Sequence, residues 1–390
     1  MFDPTADYAE IREGVKRVCD EFPMSYWREL DARREYPKAF VDALIREGYL
    51  AAMIPEEYGG SSLPLTAGAV ILEEIHRNGA NAGACHAQMY TMGTVLRHGS
   101  DEQKAHYLPK IADGSLRLQA FGVTEPTSGT DTLALKTTAR REGDEYVING
   151  SKIWISRAEH SDLMVLLART TPRDQAEKRT DGLSVFLIDL TALRGNGVEI
   201  RPIRTMINHA TTEIFFDNAR IPASALIGEE GKGFRYILSG MNAERILIAA
   251  ECIGDAKWFI ETGSAYAKER EVFGTPIGQN QGIQFPLARA YAHMLAAEAI
   301  VYRAANLYDE GETPGVEANA AKMLAADASW EAAEACLQTH GGFGFAEEYD
   351  VERKFREARL YQVAPISTNL ILCFLAEQVL GMPKSYGPRK

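Results

Sequence analysis

The chain lacks the marks of several large functional classes. Its five cysteines, Cys19, Cys85, Cys252, Cys336 and Cys373, are scattered and form no C-x-x-C pair. That excludes a disulfide framework or a cysteine knuckle as the organising device. Four of the five sit in helix-like runs and read as reduced core thiols, so a cytoplasmic protein is expected. No apolar run reaches the roughly 18–20 residues that a membrane span needs. The opening stretch MFDPTADYAEIREGVKRV places Ile11, Val15 and Val18 at helical spacing, which is an amphipathic helix and not a signal peptide. Positive charge is in short supply, with 42 Lys and Arg against 54 Asp and Glu and a net charge of −12. Broad nucleic-acid binding needs a basic face and is excluded; a small anion met by a few local cations is not. There is no P-loop and no G-x-S-x-G elbow. His76, His86, His98 and His106 have no acid or cysteine at metal-ligand spacing, so no metal site is expected. Internal repeats and low-complexity tracts are also missing.

What is present falls into three compositional regions. With 390 residues the chain is long enough for two or three domains. Residues 1–117 read as helices: PKAFVDALIREGYLAAMIPEEYGG closes on a Pro and Gly turn, TAGAVILEEIHRNGANAGACHAQMYTMGTVLRHG holds one or two more, and DEQKAHYLPKIADGS is a short one. Near residue 118 the period changes. YVINGSKIWIS, DLMVLLART, GLSVFLIDL, GVEIRPI and TEIFFDNARI are strand-length runs separated by turn signals such as Asn149-Gly150 and Asp181-Gly182. No helical pattern lies between them. Residues 118–228 therefore predict a small antiparallel barrel or sandwich and not β-α-β units. From 229 to 390 the chain returns to long helices. The segment 170–182 reads as an exposed loop.

Several stretches carry chemistry. FGVTEPTSGTD (121–131) offers Thr124, Ser128, Gly129 and Thr130 on freely turning backbone, either to an oxygen-rich ligand or as a plain polar turn. KIWIS (152–156) puts Trp154 and Ser156 on one side of a strand, where the indole either stacks on a planar ring or fills the core. AKEREVFGTPIGQNQ brings Arg270, Phe273 and Gln281 around a Gly-Pro turn between helices. QTHGGFGFAEEY breaks a helix at Gly341, Gly342 and Gly344, as a phosphate-binding end or a glycine C-cap. It follows no strand, so a dinucleotide-binding reading fails on context. Finally, SGMNAERILIAA places Glu244 on one helix face with Ile237, Met241 and Ile248. A carboxylate on a buried face is costly unless paired. Glu244 is thus either salt-bridged, to Arg245 or an arginine of the 353–359 run, or positioned to take a proton. Glu251 lies two turns on, nearly on the same face, and one of the two acids is a candidate structural residue.

Taken in order, TEPTSGTD, INGSKIWIS, KEREVFGTPIGQNQ, QTHGGFGF and VERKFREARL resemble the motifs of the acyl-CoA dehydrogenase family over most of the chain. The resemblance implies an N-terminal helical domain (1–117), a middle antiparallel β-barrel (118–228) and a C-terminal four-helix bundle (229–390). It implies bound FAD, with Phe121, Val123, Thr124, Gly129 and Thr130 lining the flavin and Trp154 and Ser156 covering its other side. Arg270, Phe273, Gln281, Gln338, Gly341 and Gly342 would reach the ADP half of a FAD held by a neighbouring subunit of a homotetramer, and Ser367 and Thr368 would also touch the cofactor. Tyr90, on the ACHAQMYTMG helix that lines the acyl pocket in relatives, would join Thr130, Met241, Asn242, Arg245, Pro365 and Ile366 around the acyl-CoA. The implied reaction is α,β-dehydrogenation: a carboxylate takes the α-proton, the β-hydrogen leaves as hydride to flavin N5, and electrons pass to an electron-transfer flavoprotein.

The sequence departs from the family's commonest pattern in one place. Most members carry the base in a Y-E-G-T stretch, and the matching segment here is RLYQVAPISTNL, with Pro365 where that glutamate would stand. A minority, typified by the isovaleryl-CoA and long-chain enzymes, places the base on the first helix of the C-terminal bundle, and that position matches Glu244. Proline has no N–H, and losing one donor to the thioester oxygen costs about 3 kcal/mol of transition-state stabilisation. Either Ile366 or Ser367 donates instead, or the FAD ribityl hydroxyl acts more alone, or a same-fold flavoenzyme runs other chemistry as an oxidase, monooxygenase or thioester lyase. A flavin-bearing DNA-associated relative would carry a basic extension, and PKSYGPRK does not read as one.

Overall fold

A computed structural model describes residues 6–385. The first residues of the opening stretch and most of PKSYGPRK lie outside the described residues. In chain order the helices α1 (Ala9–Asp20), α2 (Met24–Arg33), α3 (Lys38–Arg46), α4 (Leu65–Arg77), α5 (His86–His98) and α6 (Asp101–Ala112) come first. Strands β1 (Leu118–Gly122), β2 (Thr138–Glu142), β3 (Glu145–Ser156), β4 (Leu163–Arg169) and β5 (Leu183–Asp189) follow. A single turn, α7 (Leu190–Leu193), precedes β6 (Val198–Pro202), β7 (Thr211–Pro222) and β8 (Leu226–Ile227). Then come α8 (Gly233–Glu269), a small hairpin of β9 (Glu271–Val272) and β10 (Thr275–Pro276), α9 (Gln281–Asp309), α10 (Gly315–His340), α11 (Val351–Leu360) and α12 (Thr368–Phe374).

Two compact units cut across the compositional regions. A sheet unit comprises residues 33–63 and 83–241, and a helical unit takes the described residues of 1–32, 64–82 and 242–390.

In the sheet unit eight strands run in the order β6-β7-β3-β2-β4-β5-β8, with β1 on β4. β4 is apolar from Leu163 to Ala168, as a strand buried on both faces requires. Leu163, Val165 and Leu167 enter one core cluster, while Met164, Leu166 and Ala168 enter the other. The expected closed antiparallel barrel is not what forms. Among the described residues no pairing joins β6 to β8, and β8 is only two residues long before the chain leaves for α8. The sheet is also mixed: β1 lies parallel to β4, and Thr138 of β2 pairs in parallel with Arg169. Parallel pairing needs a long crossover, and the β2–β3 hairpin supplies it.

In the helical unit α8, α9 and α10 run 37, 29 and 26 residues. The expected four-helix bundle has three long members here; α11 and α12 follow as shorter pieces, parted by 361–367 with Pro365. α8 meets α4 at Gly254, where a Cβ would stand 2.2 Å from the Glu73 carbonyl oxygen. Beneath that contact Glu73 is a fully buried carboxylate. It accepts from Arg12 of α1 at 2.9 Å, from Lys257 of α8 at 2.8 Å, and from the Tyr302 hydroxyl of α9. Burial alone would raise its carboxyl, but Lys257 and Arg12 hold it below the ordinary value.

Candidate active site

Three glutamates of the helical unit share burial and differ in partners. Glu73 has the three donors just described. Glu251 accepts from the Tyr361 hydroxyl at 2.9 Å. Its neighbour His76 accepts the Ala82 N–H at Nε2 (3.0 Å), so the ring proton sits on Nδ1 and is donated to Asp255 at 2.9 Å. Lys354 adds an ion pair to Asp255 at 2.5 Å. His76 therefore does have acidic neighbours, contributed by distant α8, and they form a structural hydrogen-bond network. Glu251 belongs to that network.

Glu244 differs from both. It is 7% exposed, on the same α8 face as Ile237 and Ile248, yet it makes no ion pair and no hydrogen bond with any described residue. The alternative of a salt bridge to Arg245 or to the 353–359 arginines is thus excluded. Arg245 turns to Asn242, donating from Nη1 to Oδ1 at 3.0 Å, and its buried Nε has no partner. The arginines of α11 go elsewhere: Arg353 to Glu357 and Asp350, Arg356 to Asp31 and Glu352, and Arg359 over the Trp330 ring. Burial pushes the Glu244 carboxyl up to about 7, with Arg245 only partly offsetting it. The two buried carboxylates are thus driven in opposite directions, Glu73 below and Glu244 above the ordinary value.

The segment 361–367 is clamped from below. Lys322 of α10 is fully buried, and its Nζ donates to the carbonyls of Tyr361 (2.8 Å) and Ile366 (3.0 Å). Pro365 follows a cis peptide bond. The N–H groups of Ile366 and Ser367 donate to no described residue. Ser367 caps α12, its hydroxyl accepting from Leu370 N–H at 3.4 Å, and Thr368 opens that helix. Nothing in sequence spacing pointed to Lys322; its signal is a lone lysine among the alanines of α10.

Of the remaining expected residues of this unit, Arg270 and Phe273 lie at the β9–β10 hairpin. Phe273 stands at its tip with positive φ and is wholly exposed. Arg270 lies over the Phe343 ring at 5.5 Å, which brings it beside the Gly341-Gly342 turn. Gln281 opens α9, and Gln338 and both glycines are exposed, with open space around the two glycine Cα atoms.

In the sheet unit, Phe121, Val123, Thr124 and Ser156 are half-buried, and Gly129 and Thr130 are exposed. Trp154 is not a core residue: it is 58% exposed. The register with β7 jumps from Ile153↔Glu213 to Ile155↔Thr212, so Trp154 is the extra residue of a β-bulge with φ +60°. Strand alternation does not apply there, and strain at a bulky residue is characteristic of functional sites. The adjoining loop is pinned by a pair that spacing did not reveal. Glu125 accepts from Lys152 Nζ (2.9 Å) and from the N–H groups of Lys136 and Thr137, while Lys152 also holds the Val123 carbonyl at 3.0 Å. Burial lowers the Lys152 amine to about 8, partly offset by Glu125. Ile153 N–H donates to Thr124 O at 3.0 Å and ties loop to strand. Tyr90 of α5 meets Phe121 at 6.2 Å between ring centroids, and Met241 packs on this unit's core. An outward indole beside a half-buried hydroxyl, next to a braced loop, fits a planar ring ligand.

This fold has a known counterpart. The acyl-CoA dehydrogenase N-terminal, middle and C-terminal domain families match residues 5–115, 120–219 and 231–379. The chain belongs to the acyl-CoA dehydrogenase family and is an oxidoreductase of that family. An acyl-CoA dehydrogenase of Bacillus subtilis is 35% identical over 89% of this chain and 91% of its own length. The acyl-CoA dehydrogenase fadE12 of Mycobacterium bovis is 32% identical over 99% and 100%. The structure of a glutaryl-coenzyme A dehydrogenase with glutaryl-CoA superposes with a TM-score of 0.91 at 28% identity, covering 100% of this chain and 99% of that one.

Proposed function

We propose that this protein is an FAD-dependent acyl-CoA dehydrogenase in which Glu244 removes the α-proton of the thioester. The carrying observation is a buried, partnerless carboxylate pushed up to about 7, the range a general base needs at neutral pH. Bound FAD supplies a two-electron acceptor for the β-hydrogen. The indole of Trp154 and the hydroxyl of Ser156 present the flavin's covering surface, and Phe121, Val123, Thr124, Gly129 and Thr130 its near edge. Asn242, Arg245, Met241, Tyr90, Thr130, Pro365 and Ile366 contact the acyl-CoA. The free N–H groups of Ile366 and Ser367 take over the thioester oxygen from the donor that Pro365 lacks. Pro365 favours other chemistry only where no donor replaces its missing N–H, and two spare donors stand beside it. Electrons then leave to an electron-transfer flavoprotein. The protein works as a cytoplasmic homotetramer in which Arg270, Phe273, Gln281, Gln338, Gly341 and Gly342 complete the FAD site of a neighbouring copy.

Anaerobic bleaching of the bound flavin by a panel of acyl-CoAs tests this reading. Glu244→Gln is expected to keep FAD and lose about 10²- to 10⁴-fold in reduction rate, the range for a positioned base. Reduction within threefold of wild type would remove Glu244 from the role.

A further inference from the structure

The sheet unit contains a buried cation that its own residues do not neutralise. Arg157 follows directly on the Trp154 and Ser156 segment and is 3% exposed. Its N–H is anchored to Ala210 O at 2.7 Å. Nη1 lies 3.1 Å from His209 Nε2 and Nη2 lies 3.2 Å from His86 Nε2. Arginine has five donors and no acceptor, so both imidazoles must accept at Nε2. Neither brings negative charge. Burial, then Arg157, drive His209 further toward the neutral form. The Arg157 Nε is buried without a partner, and among the described residues no carboxylate pairs with the guanidinium.

Further cations lie nearby, with Asp162 accepting the Arg117 N–H at 2.7 Å. After burial, Arg194, Arg117 and Arg157 in turn act on His160. Arg117 and Arg157 both act on Tyr36, and the acid felt there, Asp42, is half-exposed and already paired with Lys38. Buried charges in folded proteins are paired, so a charge left single calls for a ligand of opposite sign. Position says which ligand. His86 is one helical turn before Tyr90 on α5, and their rings lie 5.7 Å apart. Tyr90 in turn meets Phe121. The guanidinium therefore lies one imidazole away from Tyr90, a residue assigned to the acyl group.

We propose that Arg157 receives a carboxylate carried by the acyl group, so that the preferred substrate is the CoA thioester of a dicarboxylic acid. This rests on the dehydrogenase reading given above. The carboxylate accepts side-on from Nε–H and a remaining Nη–H, the fork geometry arginine shares with carboxylates. His86 and His209 hold the guanidinium in place without competing for its charge.

The test uses the FAD-loaded enzyme with succinyl-, glutaryl- and adipyl-CoA against butyryl-, valeryl- and hexanoyl-CoA. Calorimetric binding to the oxidised enzyme, anaerobic flavin reduction and the flavin midpoint potential are measured for wild type, Arg157→Met and Arg157→Lys. At least one dicarboxylic thioester is expected to bind about 30-fold or more tightly than its monocarboxylic counterpart, the scale of a buried charge pair. Arg157→Met should abolish that preference, change monocarboxylic binding less than threefold and leave the midpoint potential in place. Arg157→Lys should retain part of the preference. Flavin reduction by the monocarboxylic series with no dicarboxylic preference would overturn the carboxylate site alone. So would a shifted potential in Arg157→Met with an unchanged preference, because the guanidinium's partner would then be the flavin. Reduction by neither series would overturn the dehydrogenase reading and this proposal with it.

Discussion

At the scale of the residue, environment decides what a glutamate does. Glu73, Glu251 and Glu244 are chemically identical, and only the last lacks a donor. The sign of the consequence follows from linkage. The folded Glu244 carboxyl titrates near 7 against 4.5 for an unconstrained one, so the folded protein holds a proton that the unfolded chain releases. Its penalty is absent below pH 4.5, grows between 4.5 and about 7, and is worth about 3 kcal/mol above that. Glu244→Gln should therefore be more stable than wild type at pH 8 and equal to it at pH 4, read by urea denaturation at both. Wild-type kcat/KM should fall as pH drops through about 7, because a base must be unprotonated to act. A profile flat from pH 5 to 9 would count against the assignment.

At the scale of the element, the fold was legible where a pattern is local and strong. The unbroken run of α8, the apolar strands β3 to β7 and the face holding Glu244 all follow from residues within a few positions of each other. β1, β2 and β8 were missed for a physical reason: they are two to five residues long, and β2 is mostly polar and exposed, so neither length nor alternation marks them. Closure of the sheet is not readable from the sequence because it depends on which strands pair, not on which strands form. The Trp154 bulge, the Glu125–Lys152 brace, the Lys322 clamp and the bare Arg157 are long-range pairings, or missing ones, and local periodicity carries no trace of them. One contact of that kind yields a prediction. Gly254→Ala places a methyl against the α4 backbone at Glu73, where the obstacle is main chain and not a flexible tip. Overpacking of about 1–3 kcal/mol is expected, visible as a lowered urea midpoint, whereas Gly282→Ala on the open face of α9 should not destabilise.

At the scale of the whole molecule, the helical unit leaves much apolar surface uncovered. Phe273, Phe285, Tyr291, Leu295, Phe343, Phe345, Leu372 and Leu380 are all exposed, more than isolated surface residues account for. The proposed homotetramer would cover this surface. Light scattering on the FAD-loaded protein should give four times the 43.0 kDa chain. Phe273→Asp should lower that mass and release FAD together; a monomer that retains FAD at wild-type affinity would break the link between assembly and cofactor.

The clamp that Lys322 places on Tyr361 and Ile366 also bears on how such a protein changes over time. Because the segment is gripped by its carbonyls, its side chains are free to vary without loosening it. Under the proposed assignment the acid stands on α8 instead of at position 365 while the clamped scaffold is kept, so the proton acceptor would be a portable part. Portability runs both ways. Pro365→Glu in a Glu244→Gln background should regain a measurable fraction of the lost flavin reduction, and more of it with Lys322 intact than with Lys322→Met. Failure of the double variant to regain any activity while still binding FAD would mean the two addresses are not interchangeable in this chain.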